Sequence, residues 1–359
     1  MRHFFYNRNF PTPRFIALSS VGLDFSDRTL RFVELQASRK GLDLRRFGEE
    51  QIPEGLVKGR RIVDTERFSK FLIDVRKKHK LKYVRVSLPE EHVYSFTIAI
   101  AAVEPKEVRG AIELVLEDNI PIKAAEAVFD FAILKHDGSH LVVHVVAVLA
   151  AIVDSYYRTF EMAGLVPVSF ELEAGAIARS VVPRDALTSY MVVDFGALRT
   201  GISIVAHGMP LYVATLEVGG AILTQMIAKE QSVPFEEAES MKRAYSIASP
   251  EENKQLFSSL INGLSTLKDE INRRYIYWHT KKDGEVEFPN IEAVLLCGGV
   301  ANLKGLPDYL ATNLKLPVRI ANPWVNMFSF ESRVPELPLE AAMSYATAIG
   351  LALGDYDYD

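Results

Sequence analysis

The sequence predicts an α/β protein built from two related halves. Strand-like and helix-like stretches alternate along the chain. Residues 22–35, GLDFSDRTLRFVEL, echo residues 192–205, VVDFGALRTGISIV. The length of 359 residues and a hydrophobic content of 48% supply enough apolar side chains for two cores. In each echoed segment an Asp-Phe pair closes an apolar strand, a polar turn follows, and a second strand returns. An aspartate at a hairpin is common in itself, so the echo takes its weight from the elements around it.

In chain order, strands are expected over 15–25 and 30–36, joined by Ser26-Asp27-Arg28-Thr29, and over 42–47 after Gly41. A helix over 65–79 places Phe68, Phe71, Leu72 and Val75 on one face, and a strand follows over 83–87. After a strand over 93–100, Glu104-Pro105 opens a helix that reaches about residue 118 and is stopped by Asn119-Ile120-Pro121. Strands over 128–134 and 141–149 flank the turn His136-Asp137-Gly138-Ser139, and a helix over 152–162 runs up to Gly164. Residues 91–166 therefore read as a compact inserted subdomain. A further strand leads into Glu173.

In the second half, strands over 191–193 and 201–205 enclose Asp194, Gly196 and Thr200. Gly219-Gly220 precedes a helix over 221–230, and Pro234 opens another that contains EEAESMKRAY. A long amphipathic helix over 256–278 aligns Leu256, Leu260, Leu264, Leu267 and Ile271 along one stripe. A strand over 291–297 runs into Gly298-Gly299. Residues 338–353, rich in Ala and Gly, are expected to form one final helix suited to close packing on a sheet.

Composition excludes several classes of function. The net charge of -5 argues against phosphate-backbone binding as the main role, and the basic run 76–80 reads as a solvated helix end. The single cysteine, Cys297, forms neither an internal disulfide nor a thiolate metal site, which fits a reducing, cytoplasmic setting. The apolar run 141–153 includes His144 and falls short of the roughly 18 residues a membrane-spanning helix needs. Residues 1–14, MRHFFYNRNFPTPR, lack a sustained apolar core and read as a flexible tail rather than a secretory signal. The eight histidines lack zinc-ligand spacing, and neither G-x-S-x-G nor a Walker A sequence occurs.

The paired strand-Asp-turn-strand units, the later Gly-Gly and the strand leading into CGGVANLKGL resemble the actin-like ATPases. EDNIPIKAAEAVFDF, MAGLVPVSFELEAGAIAR, VGGAILTQMIAKEQSVPFEEAESMKR and LLCGGVANLKGLPDYLATNLKLPVRIANPW extend the resemblance over most of the chain, from about residue 16 to 353. Within that group the chain resembles the PilM family of type IV pilus assembly proteins, which is related to FtsA. The resemblance implies a duplicated actin-like (RNase H-like) ATPase fold with an inserted α/β subdomain. It divides the chain into a first core (15–90, 167–190 and 338–359), the insert (91–166) and a second core with its nucleotide-contacting helical subdomain (191–337).

The function that the resemblance implies is that of a cytoplasmic ATP-binding scaffold of the type IV pilus platform at the inner membrane. Its expected partners are the short cytoplasmic N-terminal segment of a PilN-type inner-membrane protein and other platform proteins, with indirect membrane association and no nucleic acid. An active ATPase or an FtsA-like polymer-forming protein is the alternative.

In such a fold the two turns are expected to face each other across a cleft, their amides cradling the phosphates of ATP. Asp24 and Asp194 would hold water bound to Mg²⁺, Gly196 would allow close backbone approach, and Thr200 would donate its hydroxyl. The resemblance counts Gly219 and Gly220 among the nucleotide-contacting residues and places Gly298 and Gly299 at the adenosine and α-phosphate. It places Glu239 and Lys242, neighbours on one helical face, at the ribose or adenine, and Glu173 where it would orient the attacking water. The residues alone leave plainer readings open: hairpin caps for Asp194 and Thr200, a tight turn for Gly298-Gly299, a solvated ion pair for Glu239 and Lys242, a helix start for Glu173. The first turn departs from the family pattern, in which a glycine follows Asp and an apolar residue. Here Asp24-Phe25-Ser26-Asp27-Arg28-Thr29 lacks that glycine and adds a carboxylate that repels phosphate unless Arg28 or Mg²⁺ offsets it. Weak or no hydrolysis is the expected consequence.

Overall fold

The structure, a computed structural model, describes residues 20–38, 41–90, 93–245, 247, 251, 253–280, 289–331 and 333–356. The expected tail at 1–14, and residues 15–19 of the first expected strand, lie outside the described residues. The chain divides into two compact units, one drawn from Met1–Ser180, Asn326–Glu336 and Thr347–Asp359, the other from Val181–Val325 and Leu337–Ala346.

The first unit opens with β1 (Val21–Phe25), β2 (Thr29–Ser38) and β3 (Gly41–Gln51), followed by a short hairpin, β4 (Val57–Lys58) and β5 (Arg61–Ile62). Helix α1 (Thr65–His79) begins where the Asp64 side chain accepts the Arg67 amide at 2.9 Å, satisfying one of the helix's orphan donors, and ends at Lys80 in the left-handed conformation. The basic run thus forms the end of α1, where Lys78 and His79 each lie 2.7 Å from Glu50. Strand β6 (Tyr83–Leu88) follows, then β7 (Val93–Ala101), α2 (Val108–Asn119), β8 (Ala127–His136), β9 (His140–Leu149), α3 (Ala150–Met162), β10 (Val166–Leu172) and α4 (Glu173–Val181).

The main sheet runs β10-β6-β1-β2-β3, with β1 antiparallel to β2 and parallel to β6. Leu23, Phe25, Phe68, Leu72, Val84 and Val86 fill its core, and α3 adds Ile152, Tyr156 and Phe160. A separate antiparallel sheet, β7-β9-β8, carries its own core, in which Val108, Ile112 and Leu116 of α2 meet Leu141, Val143 and Val145 of β9. Alternate β9 residues face α2 because strand side chains alternate. On the opposite face buried His144 is held by Ser95 and Thr97 at 3.2 and 3.1 Å.

The second unit contains β11 (Ser189–Phe195), β12 (Thr200–Ala206), β13 (Met209–Leu216), α5 (Gly220–Gln231), α6 (Phe235–Ala244), α7 (Lys254–Thr280), β14 (Ile291–Cys297), α8 (Leu306–Leu314), β15 (Val318–Ile320) and α9 (Leu339–Ala342). Its sheet runs β13-β12-β11-β14-β15, with β11 antiparallel to β12 and parallel to β14. Read from β3 and from β13, the two sheets have the same order and strand directions, so the sequence echo is a structural duplication. All five stripe residues of α7 are buried; truncating one to Ala costs about 2–5 kcal/mol.

Three expectations change. The expected single helix over 338–353 is α9, a 3-10 turn at Met343–Tyr345, and α10 (Ala346–Leu353). The break falls where the Met343 carbonyl accepts the Gly298 amide at 3.2 Å. The helix expected from Glu104 starts at Val108, after a turn in which the Glu107 amide donates to Glu104. Strands β13 and β15 and the β4–β5 hairpin add to the expected elements. In the first unit α10 lies very close to its neighbours: a Cβ on Gly22 would sit 2.0 Å from the Ala348 carbonyl oxygen, and one on Gly350 1.7 Å from that of Ala176. Only glycine fits at these two crossings.

Candidate functional site

The duplicated sheets deliver two turns of equal length. Phe25 pairs with Leu30 around residues 26–29, and Phe195 pairs with Thr200 around residues 196–199. Each turn closes on the same hydrogen bond, Ser26 amide to Thr29 carbonyl at 2.8 Å and Gly196 amide to Arg199 carbonyl at 2.9 Å. By this register Ser26 corresponds to Gly196 and Asp24 to Asp194. The chemistry around them differs.

In the first turn the Ser26 hydroxyl folds back and accepts the amides of Arg28 and Thr29 at 3.4 and 3.1 Å, the local capping that serine offers a turn. The Asp27 carboxylate accepts the amides of Gly59 and Arg60 at 2.9 and 2.8 Å, anchoring the tip of the β4–β5 hairpin. The charge that the sequence set against phosphate is thereby taken up by backbone donors. From the same hairpin tip the Arg60 guanidinium donates to Asp24 Oδ1 and the Phe25 carbonyl at 2.9 and 3.2 Å, and to Glu173 Oε1. Ser87 donates to Asp24 Oδ1 at 2.7 Å. Asp24 and Glu173 are both buried, and Arg60 is a counter-charge shared between them within the first unit.

In the second turn Gly196 offers no hydroxyl, and the tip residues Ala197 and Leu198 are exposed. Among the described residues no hydrogen bond involves the amides of Ala197 and Leu198. The base of the turn is clamped by the start of α5, where the amides of Gly220 and Ala221 donate to the carbonyls of Gly196 and Ala197 at 3.0 and 2.8 Å. A Cβ on Gly219 would lie 2.5 Å from the Leu198 carbonyl carbon. Gly298, at φ +85°, approaches equally closely: a Cβ there would lie 2.5 Å from Asp194 Oδ1 and 2.6 Å from the Phe195 carbonyl oxygen. At Gly299 the nearest atom, Ser344 Oγ, would be 3.3 Å away. Gly219 and Gly298 are therefore required by the protein's own backbone.

Thr200 is fully buried and donates its hydroxyl to the Val218 carbonyl at 2.6 Å, so it braces the strand end rather than facing outward. Asp194 is half-buried beside Cys297, whose sulfur lies 3.9 Å from Oδ1. Glu239, half-buried, and Lys242, buried, belong to a hydrogen-bonded network instead of a solvated pair. Lys242 Nζ donates to Glu239 Oε2, Thr224 Oγ1 and the Gly220 carbonyl at 2.6, 2.7 and 3.0 Å. Burial pushes the Lys242 ammonium below its ordinary range, and Glu239 draws it back. Burial likewise opposes ionisation of Glu239, but hydrogen bonds from Lys242, Thr224 and Arg243 outweigh it and hold the carboxyl down at about 2.

Sequence reasoning missed Arg60 and the role of Ser26. The glycine between Val57 and Ile62, in VKGRRI, is a hairpin signal. The partners of Arg60 lie far along the chain and leave no local trace. The fit of Mg²⁺ differs between the turns. Asp24 Oδ1 already accepts Arg60 and Ser87, and that donor set does not suit a metal-bound water. A single half-buried carboxylate at Asp194 does suit an ion held mainly by phosphate and water.

The family model described as type IV pilus assembly protein PilM matches residues 22–356. Among solved structures, the PilM-PilN type IV pilus biogenesis complex superposes with a TM-score of 0.77 at 23% identity, covering 95% of this chain and 99% of that one. The ethanolamine utilization protein EutJ from Carboxydothermus hydrogenoformans gives 0.52 at 18% identity, covering 96% and 91%. MreB5 of Spiroplasma citri bound to ADP gives 0.52 at 14%, covering 85% and 92%. The cell division protein FtsA of Neisseria meningitidis serogroup B is 22% identical over 227 residues, 58% of this chain, and the chain spans about half, 53%, of that relative's length. These likenesses establish the actin-like ATPase fold that the duplicated sheets embody. With the family model matched over nearly the whole length, the chain belongs to the family of the type IV pilus assembly protein PilM.

Proposed function

We propose that this chain is an ATP-binding scaffold of the type IV pilus assembly platform, with weak or no ATP hydrolysis, and that it docks the cytoplasmic N-terminal segment of a PilN-type inner-membrane protein. The observation that carries the nucleotide reading is the second turn, where the exposed residues Ala197 and Leu198, close in sequence to Asp194, have amides without a hydrogen bond among the described residues, which supports their use as donors to phosphate. Gly298 and Gly299 bring backbone close by, and the network of Glu239 and Lys242 fixes the start of α5 behind it. Bound Mg²⁺ would offset phosphate charge, held through water by Asp194. MreB5 of Spiroplasma citri, of like fold, has been solved with ADP and with AMPPNP, which supports a nucleotide here.

Weak hydrolysis is supported by the first turn. Glu173, the residue expected to orient water, and Asp24 are both engaged by Arg60, and a carboxylate so engaged is a poor acceptor for a reacting water. The partner reading is supported by family membership and by the PilM-PilN complex among the structural neighbours. Among the described residues no helix is long and apolar enough to cross a membrane, and a membrane-anchored partner would supply attachment.

Calorimetry with Mg-ATP and Mg-ADP on the wild type and Asp194→Ala tests the first part. Saturable binding that Asp194→Ala weakens at least tenfold is expected, and no heat with either nucleotide would refute it. A PilN-type peptide pulldown with and without ATP tests the second part. Failure to bind under both conditions would refute the docking role while leaving the nucleotide result intact.

A further inference from the structure

The Arg60 hairpin is costly to build as it stands. Arg60 takes φ +56°, a left-handed conformation that hairpin tips ordinarily give to Gly, Asn or Asp because a Cβ is disfavoured there. The chain nevertheless places its longest cation at this position. It holds the strained backbone with the Asp27 carboxylate on two successive amides, at 2.9 and 2.8 Å, and with the Tyr156 hydroxyl on the Arg60 carbonyl at 2.5 Å. A tip needed only for its shape would not require an arginine. What the arginine adds, on a side chain 17% exposed, is a guanidinium paired with two buried carboxylates.

We infer that Arg60 is the resident counter-cation of the first turn, taking the place of a divalent ion at Asp24 and Glu173. A guanidinium stays protonated throughout the physiological range and matches carboxylates with a rigid fork of donors. Its fork spans both acids, and its positive charge repels any dication that approaches them. Arg60 is thus a positioning residue that closes this pair to metal. The inference deepens the proposed weak hydrolysis but does not depend on nucleotide binding, because every contact it uses lies in the first unit.

The test is Mn²⁺ binding by the nucleotide-free full chain, read from the electron paramagnetic resonance signal of free Mn²⁺. Wild type and Asp24→Asn are expected to bind Mn²⁺ alike. Arg60→Met, which leaves two buried acids without their cation, is expected to gain one further equivalent of bound Mn²⁺. Asp24→Asn in the Arg60→Met background should remove that gain, and Arg60→Lys, which keeps a cation, should not show it. A tenfold or larger loss of Mn²⁺ affinity on Asp24→Asn in the otherwise wild-type chain would overturn the inference. So would an Arg60→Met protein with wild-type circular dichroism and no added Mn²⁺. If Arg60→Met does not fold, wild type against Asp24→Asn decides alone, equal binding supporting the inference and a tenfold difference ending it.

Discussion

The turns at 26–29 and 196–199 are copies in register, length and closing hydrogen bond, yet they are held by opposite means. The first is tied by side chains: Ser26 on its own amides, Asp27 on the hairpin tip, Arg60 on Asp24. The second is tied by main chain pressed against main chain, with glycine at 219 and 298 to let it close. One substitution at the tip explains much of this. Where serine supplies a hydroxyl it caps the amides of Arg28 and Thr29, and where glycine stands the matching amide of Leu198 is left for an outside acceptor. Duplication preserved the backbone and left the donors and acceptors to diverge.

The largest effect that would sharpen this contrast is Gly298→Ala. The new methyl meets Asp194 Oδ1 and the Phe195 carbonyl within 2.6 Å, at a positive φ. A loss of about 3 kcal/mol or more is expected from overpacking and backbone strain together, read as a fall in the urea midpoint. Ser26→Ala, at the matched position of the first turn, removes only a hydroxyl and should cost about 1 kcal/mol. Next comes Asp27→Ala, which strips two amides of a charged acceptor. About 2 kcal/mol should be lost, with faster hydrogen exchange at Gly59 and Arg60; unchanged exchange there would break the claim that side chains hold the first turn.

Thr200→Val should cost about 1 kcal/mol, since it orphans the Val218 carbonyl while keeping the side chain's shape. A neutral result would return Thr200 to an outward role. The smallest effect concerns Glu239, whose side chain is 27% exposed and therefore partly screened. Its folded carboxyl titrates at about 2 against an ordinary 4.5, so between those values the unfolded chain binds more protons than the folded one. Its contribution is full above about pH 5 and disappears as the pH falls through 2. The denaturation midpoints of wild type and Glu239→Gln should therefore differ at neutral pH and converge on acidification.

The duplicated strands and the long helix α7 were legible because burial on one face writes a period into the sequence. Residues 65–79 carried that period, and the helix begins and ends where it indicated, with Asp64 just outside it as the cap that the structure adds. The Asp-Phe echo marked both turns. What each turn does with its donors was not legible, because it depends on partners brought from elsewhere. Arg60 meets Glu173 across a separation of 113 positions, and no local pattern encodes that meeting. The broken end of the expected helix over 338–353 has the same origin: its Met343 carbonyl is claimed by Gly298. Strands β4, β5 and β15 are two or three residues long, too short for alternation to register.

The crossings at Gly22 and Gly350 have a consequence for how the chain is made. Residues 346–353 press against β1 and α4 at distances that admit no side chain, yet a ribosome delivers them after every strand of both sheets. The earlier-born unit must therefore wait, its sheet uncovered along α10's track, while the later-born unit is synthesised. Nascent chains stalled before residue 346 should keep that first sheet accessible to chaperones and proteases, and release of α10 should seal it.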